Sequence, residues 1–185
     1  MISEFQKQKF AHLFNLLDVK KNGHLQLGDF TSVAQTLRKK MNLKEFSSHY
    51  KQLCDSCEAL FEALRTDIAL PKKRTMALEE WLEFFEKCVD GEQGEEIVEK
   101  YRQLIYSFLF DVFDDNNDGY ISKEEYAEVY QIYGIDDAEI EEAFESIDVF
   151  VDDRLSKYEL INAIEVFLTS NDPKDRGNLI FGRVA

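Results

Sequence analysis

Proline occurs at only two positions in this sequence, Pro71 and Pro173, and glycine at eight of 185. Both residues are costly inside helices, so their scarcity favours a mostly helical chain. Cysteine is limited to Cys54, Cys57 and Cys88. An odd number of thiols with no secretory signature points to a reducing, cytoplasmic setting. Cys54 and Cys57 form C-x-x-C, but within a helical pattern, with no second pair and no strand–turn context. They read as half-buried helix positions rather than as a metal or redox motif. The histidines, His12, His24 and His49, match no zinc or nucleophile arrangement, so no enzymatic chemistry is expected. Long apolar runs are also missing. Asp111 closes Tyr106–Phe110, and no stretch approaches the roughly 20 residues of a membrane span. Residues 1–10 carry no apolar signal segment, so secretion is not indicated.

Acid is what the chain has in plenty. Its 37 Asp and Glu outweigh 22 Lys and Arg, leaving a net charge of −15. The basic clusters, Arg38–Lys40 and Lys72–Arg74, are short, and no nucleic-acid-binding patch is evident. The acidic excess fits solvated helix faces or attraction for cations, and only the loops decide between these. With 44% hydrophobic residues the chain is not disordered, and its length suits one domain or two lobes sharing a core.

Apolar residues recur at helical spacing in several segments. Phe10, Leu13, Phe14 and Leu17 form one stripe; Trp81, Leu82, Phe84 and Phe85 another; Leu104, Ile105, Phe108, Leu109, Val112 and Phe113 a third. Phe144 and Ile147 close a fourth segment, and Leu160, Ile161, Ile164, Phe167 and Leu168 form a fifth. A helix–loop–helix unit recurs four times, each polar loop interrupted by one apolar residue: Leu25, Met76, Ile121 and Leu155. These positions predict short β-bridges pairing Leu25 with Met76 and Ile121 with Leu155. The expected fold is all-α, with four such units in two paired lobes, 1–90 and 95–185, forming one compact domain. Asp90–Gly94 reads as the linker.

Residues 114–125, D-D-N-N-D-G-Y-I-S-K-E-E, fit the calcium-loop pattern D-x-[DN]-x-[DN]-G-x5-E in full. Calcium is a hard cation that takes six to eight oxygens. Asp114, Asn116 and Asp118 offer side-chain oxygens at positions 1, 3 and 5. Gly119 allows the sharp turn. Tyr120 offers its backbone carbonyl, Ser122 contributes directly or through water, and Glu125 closes the cage with two oxygens.

The other loops are less complete. In loop one, 18–29, the weaker candidate ligands are Asp18, Asn22, the His24 carbonyl and Asp29, with Gln26 at a suitable place. Lys20 displaces a ligand at position 3. Asp29 is one methylene shorter than glutamate, which suits magnesium better than calcium. Loop two, 69–80, retains only Glu80 of its side-chain oxygens and carries Lys72, Lys73 and Arg74, so it is expected to pair with loop one without binding. Loop four, 148–159, keeps Asp148, Asp152, Ser156 and Glu159. Phe150 replaces a ligand there, and Asp153 replaces the glycine.

Four loops at these spacings, the ligand-poor second loop and the ending N-D-P-K-D-R-G-N-L-I-F-G (171–182) resemble the sarcoplasmic calcium-binding proteins and their calerythrin-like and calexcitin-like relatives. The resemblance covers nearly the whole chain. It implies a compact helical fold of four EF-hands, with calcium or magnesium at loops one, three and four. The function it suggests is a cytoplasmic calcium buffer or signal modulator, expected to be monomeric, with no nucleic-acid partner. Two alternatives stand beside it. A sensor that opens a groove for a partner protein would favour methionine, and only Met1, Met41 and Met76 are present. A carrier of a small aromatic ligand would draw on the 24 aromatic residues, 15 Phe, 8 Tyr and one Trp, which core packing also explains.

Overall fold

The computed structural model describes residues 1–40, 44–45, 47–68, 75–91 and 94–184. Helix starts follow their caps. Ser3 opens α1 (Glu4–Leu17): its Oγ accepts from the Gln6 N–H at 3.2 Å, and Gln6 Oε1 accepts from the Ser3 N–H at 2.9 Å. Such boxes satisfy donors that a helix N-terminus otherwise leaves open. Next come β1 (His24–Leu25), α2 (Leu27–Lys40) and α3 (Ser48–Asp67), the last capped by Ser47. β2 (Met76–Ala77) leads into α4 (Leu78–Asp90), and α5 (Gly94–Phe113) follows. The second half continues with β3 (Ile121–Ser122), α6 (Lys123–Ile132), α7 (Asp137–Ile147), β4 (Arg154–Leu155) and α8 (Lys157–Thr169). A 3-10 turn at Arg176–Leu179 ends it. The fold is all-α, with eight α-helices among the described residues.

The loops meet in pairs. Leu25 faces Met76 and Ile121 faces Leu155 in two short antiparallel ladders. Leu25, Ile121 and Leu155 are fully buried, and Met76 nearly so, which pins each register by its apolar side. The first half of loop two, 69–74, lies outside the described residues, and so do 92 and 93 of the expected linker. Asp90 is the last residue of α4, and Gly94 already begins α5.

Most residues of the stripes predicted from spacing bury together in one continuous core; Leu82 and Leu104 pack half-buried against it, and Ile161 is half-buried outside it. Phe10 and Phe85 stack at 4.0 Å between centroids, and the Trp81 Nε1–H donates to the Phe10 carbonyl at 2.8 Å, joining α1 to α4. Phe113 stacks on Tyr126 at 5.3 Å, and Phe144 meets Tyr126 edge-on. Each such pair contributes about 0.5–1.5 kcal/mol beyond the area it buries. α3 packs on both α2 and α5, and α5 packs on α8, so the two halves share this core.

The C-terminal segment closes the assembly. Gly177 lies so close to α8 that a Cβ there would stand 2.8 Å from the Ala163 carbonyl oxygen, which only glycine avoids. Ile180 and Phe181 are buried beyond it. Among the described residues, no helix is long and apolar enough to cross a membrane.

Candidate metal centre

α5 ends as the Asp114 N–H bonds back to the Phe110 carbonyl at 2.9 Å, and the chain then turns tightly. Two residues of the turn take left-handed backbone, Asn117 at φ 56° and Gly119 at φ 86°. Asn tolerates that region and Gly has no preference against it. The turn gathers its amides around Asp114, whose Oδ1 accepts from Asp118 at 3.1 Å and Oδ2 from Gly119 at 3.2 Å. Asn116 Oδ1 accepts from the Asp118 N–H at 2.8 Å, and Asp118 Oδ1 from Tyr120 at 2.9 Å. Glu125, reaching back from the first turn of α6, accepts from Asn116 at 3.3 Å and from the Ser122 N–H at 2.8 Å. The Ser122 hydroxyl also meets Glu125 Oε2 at 2.8 Å. Asp114, Asn116, Asp118, Ser122 and Glu125 are thus drawn into one bonded turn. Tyr120 is half-buried, its ring beneath the Arg154 guanidinium at 4.1 Å.

The same wiring recurs. In loop one, Asp18 accepts from Asn22 at 3.2 Å and Gly23 at 2.8 Å. In loop four, Asp148 accepts from Asp152 at 3.2 Å and Asp153 at 3.0 Å. The fourth and sixth positions are left-handed in all three loops: Lys21 and Gly23, Asn117 and Gly119, Val151 and Asp153. The acid at position 12 accepts from the amide at position 9 in every unit. Asp29 takes Gln26 at 3.0 Å, Glu80 takes Ala77 at 2.9 Å, Glu125 takes Ser122, and Glu159 takes Ser156 at 2.9 Å. That acid therefore caps its helix as well as standing at a ligand place.

Electrostatics favour a cation in loop three. Asp114 is 7% exposed, and its carboxyl is raised above the usual range, first by burial and then by the neighbouring charges of Glu125 and Asp118. The Gly119 and Asp118 amides oppose the rise. A divalent ion would relieve both the burial of charge and the mutual repulsion. The donor set of carboxylates, an amide oxygen, a carbonyl and a hydroxyl is all hard oxygen, which fits calcium. Among the described residues no three His, Cys, Asp or Glu side chains are gathered as tightly as a metal array. In loop three the carboxylates instead hold backbone amides, and two ligand places belong to Asn116 and a carbonyl.

In loop one, Asp18 and Asp29 are buried while Asn22 and His24 are exposed, and Lys20 extends toward Gly28. In loop four, Asp148 and Glu159 are buried and Phe150 points out to solvent.

The family described as EF hand matches residues 105–130, spanning the end of α5, loop three and most of α6. Calerythrin of Saccharopolyspora erythraea is 24% identical over 90% of this chain and 94% of its own. Sarcoplasmic calcium-binding proteins I, III, and IV of Branchiostoma lanceolatum are 23% identical over 98% of both chains. Residues 105–130 thus carry an EF hand, and nearly the whole chain is similar to these sarcoplasmic calcium-binding proteins and to calerythrin. The solved structure of an amphioxus sarcoplasmic calcium-binding protein agrees in fold at a TM-score of 0.78, with 22% identity over 99% of each chain.

Sequence reasoning overlooked two features of this EF-hand protein. The Ser-x-x-Glu capping boxes at Ser122–Glu125 and Ser156–Glu159 were readable as a pattern. The anchoring of α5 was not. Three residues before Asp114, Asp111 accepts from Gln52 at 2.5 Å and from the Ser56 hydroxyl, and its carbonyl lies 3.3 Å from His49 Nε2. Those partners lie on α3, more than fifty residues away in sequence, where no local signal reaches.

Proposed function

We propose that this EF-hand protein binds calcium reversibly through loop three and acts as a cytoplasmic calcium buffer or signal modulator, without catalysing a reaction. One observation carries the reading: a full set of hard oxygens at 114, 116, 118, 120, 122 and 125 hangs on a single turn around the buried Asp114. Asp114, Asn116, Asp118, the Tyr120 carbonyl, Ser122 and Glu125 would hold the ion, which supplies charge compensation. Because Glu125 belongs to α6, its oxygens tie ion capture to the seating of that helix.

A second cation at loop one is proposed on a separate observation. Asp29 is fully buried, and its Oδ1 has no hydrogen-bond partner among the described residues. Leaving a buried carboxylate oxygen unpaired is costly, and a cation held with Asp18, Asn22 and the His24 carbonyl would answer that cost. The short Asp29 side chain favours magnesium over calcium there. The division at 1–90 and 95–185 is proposed as two paired lobes of one compact domain, and the chain as a monomer.

The buffer reading is supported over a carrier by the filled core. The apolar spaces between Leu13, Leu17, Phe108 and Phe181 measure about 40 Å³ and 30 Å³. Ligand pockets run to roughly 300–1,000 Å³. The deciding experiment is calcium titration calorimetry on the intact chain and on Glu125→Gln. The variant should lose one to two orders of magnitude at the tightest site, about the range over which ligand charge tunes such loops. Equal affinity in the two proteins would overturn the assignment. A chelator should also lower the melting temperature, since calcium at about one hundred times its dissociation constant contributes about 2.7 kcal/mol.

A further inference from the structure

Six large apolar side chains are exposed among the described residues, and four of them lie in loop four. These are Val149 at 52%, Phe150 at 62%, Val151 at 85% and Tyr158 at 66%. The rings of Phe150 and Tyr158 lie 6.1 Å apart. Single exposed apolar residues are ordinary, whereas a contiguous set marks a contact surface.

The fold does not require these side chains. Loop three follows the same backbone course with Asp115, Asn116 and Asn117 at the matching places. Val151, at φ 55°, is a β-branched residue in left-handed backbone, where such residues are strained. It therefore carries strain and exposure together, and gains no burial within the chain.

Loop four carries four carboxylates against Arg154 and Lys157, a net −2 in a chain whose net charge is −15, and the two in excess lie on its inner side. Asp148 and Glu159 turn inward onto loop amides, and Asp152 pairs with Arg154 at 3.3 Å. Asp153 and Lys157 remain, the Lys157 ammonium lying 5.0 Å from the Tyr106 ring centre. An apolar tip flanked by tyrosines and two long cations matches the interface of a lipid bilayer. Tyrosine settles at headgroup level, and Arg and Lys lay their stems along apolar surface while the charge reaches phosphate. Three successive outward residues also form a projection. A protein partner would have to offer a matching pocket, whereas a bilayer need not. The chain's overall negative charge opposes strongly anionic membranes, which leaves a zwitterionic surface.

We propose that Val149, Phe150, Val151 and Tyr158 form a membrane-docking tip that enters the interface of a phosphatidylcholine bilayer. Attachment through one shallow tip is weak and reversible. The test is flotation of the full chain with phosphatidylcholine vesicles in calcium-containing buffer. Three proteins are compared: wild type, the Phe150→Asn/Val151→Asn double variant, and Val19→Asn as a control at an exposed valine of loop one. The double variant carries the residues of loop three at both places, and circular dichroism checks that it folds.

The expected result is flotation of wild type and Val19→Asn, with at least about a fivefold lower bound fraction in the double variant. In a Phe150→Trp variant, emission should shift to the blue when vesicles are added, against the constant signal of the buried Trp81. Absence of wild-type flotation, equal flotation of the double variant, or no spectral shift would each overturn the proposal. A patch-dependent rise in mass without vesicle binding would also overturn it, identifying the tip as a contact between copies.

Discussion

Phe150 donates its backbone N–H to Glu159 Oε1 at 3.0 Å, the bond that Asn116 makes to Glu125 in loop three at 3.3 Å. Loop four is therefore wound as loop three is, and its shortfalls lie in two side chains. Phe150 brings no oxygen, and Asp153 occupies the sixth position at φ 61°. Restoring both, with Phe150→Asn and Asp153→Gly in a Glu125→Gln background, should raise calcium affinity at loop four by about an order of magnitude or more. Calorimetry reads this, because loop three contributes least in that background. An unchanged isotherm would mean that something other than the missing oxygen and the backbone limits the site.

Lys9 poses a different question, because its side chain is wholly buried. Its ammonium donates to the Ser170 carbonyl at 2.5 Å and to Asn178 Oδ1 at 2.9 Å, near the rings of Phe5, Phe10 and Phe167. Burial lowers its pKa from 10.5 to about 8, against the pull of Asp175 in the opposite direction. Between those values the unfolded chain holds the proton more tightly than the folded one. The contribution of Lys9 to stability is therefore lowest below about pH 8 and grows as pH rises toward 10.5, by at most about 1.4 kcal/mol per pH unit. The stability of wild type minus that of Lys9→Met, from urea unfolding, should increase between about pH 8 and about pH 10. Subtraction cancels the other tyrosines and lysines. A flat difference would refute the depressed ammonium.

Local features were readable in the sequence, and long-range ones were not. Loop three announces itself because ligand residues must fall at fixed places in a twelve-residue turn. The facing of Leu25 with Met76, and of Ile121 with Leu155, follows from a single apolar residue in each polar loop. The stripes of α1, α4, α5 and α8 follow from helical spacing. By contrast, Lys9 finds Ser170 and Asn178 more than 160 residues away, and Asp111 finds α3. Such contacts depend on how helices cross, which no periodicity encodes. Phe150 shows the other shortfall. In the sequence it registers only as a missing oxygen, and its outward direction emerges once the backbone is placed.

The thiols give a direct check on the C-x-x-C reading. Cys57 is fully buried, deeper than the half-buried place expected, with its Sγ 3.3 Å from the Phe30 carbonyl. Burial pushes Cys57 and Cys88 up to about 12, so neither forms thiolate near neutral pH. Cys54 is half-buried. A disulfide-exchange reagent at neutral pH should therefore label Cys54 rapidly, and the other two only at the rate of unfolding. Three equally fast thiols in the native protein would contradict the packing of α3 and α4.

The C-terminal segment is predicted to be a structural member rather than a loose end. Phe181 is 6% exposed and meets Phe167 edge-on at 4.8 Å. Its carbonyl lies 2.9 Å from His12 Nε2, and the preceding Ile180 carbonyl accepts from the Tyr126 hydroxyl at 3.1 Å and from that of Tyr130. Two residues thus bind α1, α6 and α8 together. Phe181→Ala removes a buried ring and should cost about 3–5 kcal/mol, lowering the melting temperature by roughly 10 °C. Phe181→Leu should recover most of that loss. His12→Ala removes one bond to the segment and should cost only about 1 kcal/mol. A Phe181→Ala protein that melts within a degree or two of wild type would show that the core closes without its C-terminal segment.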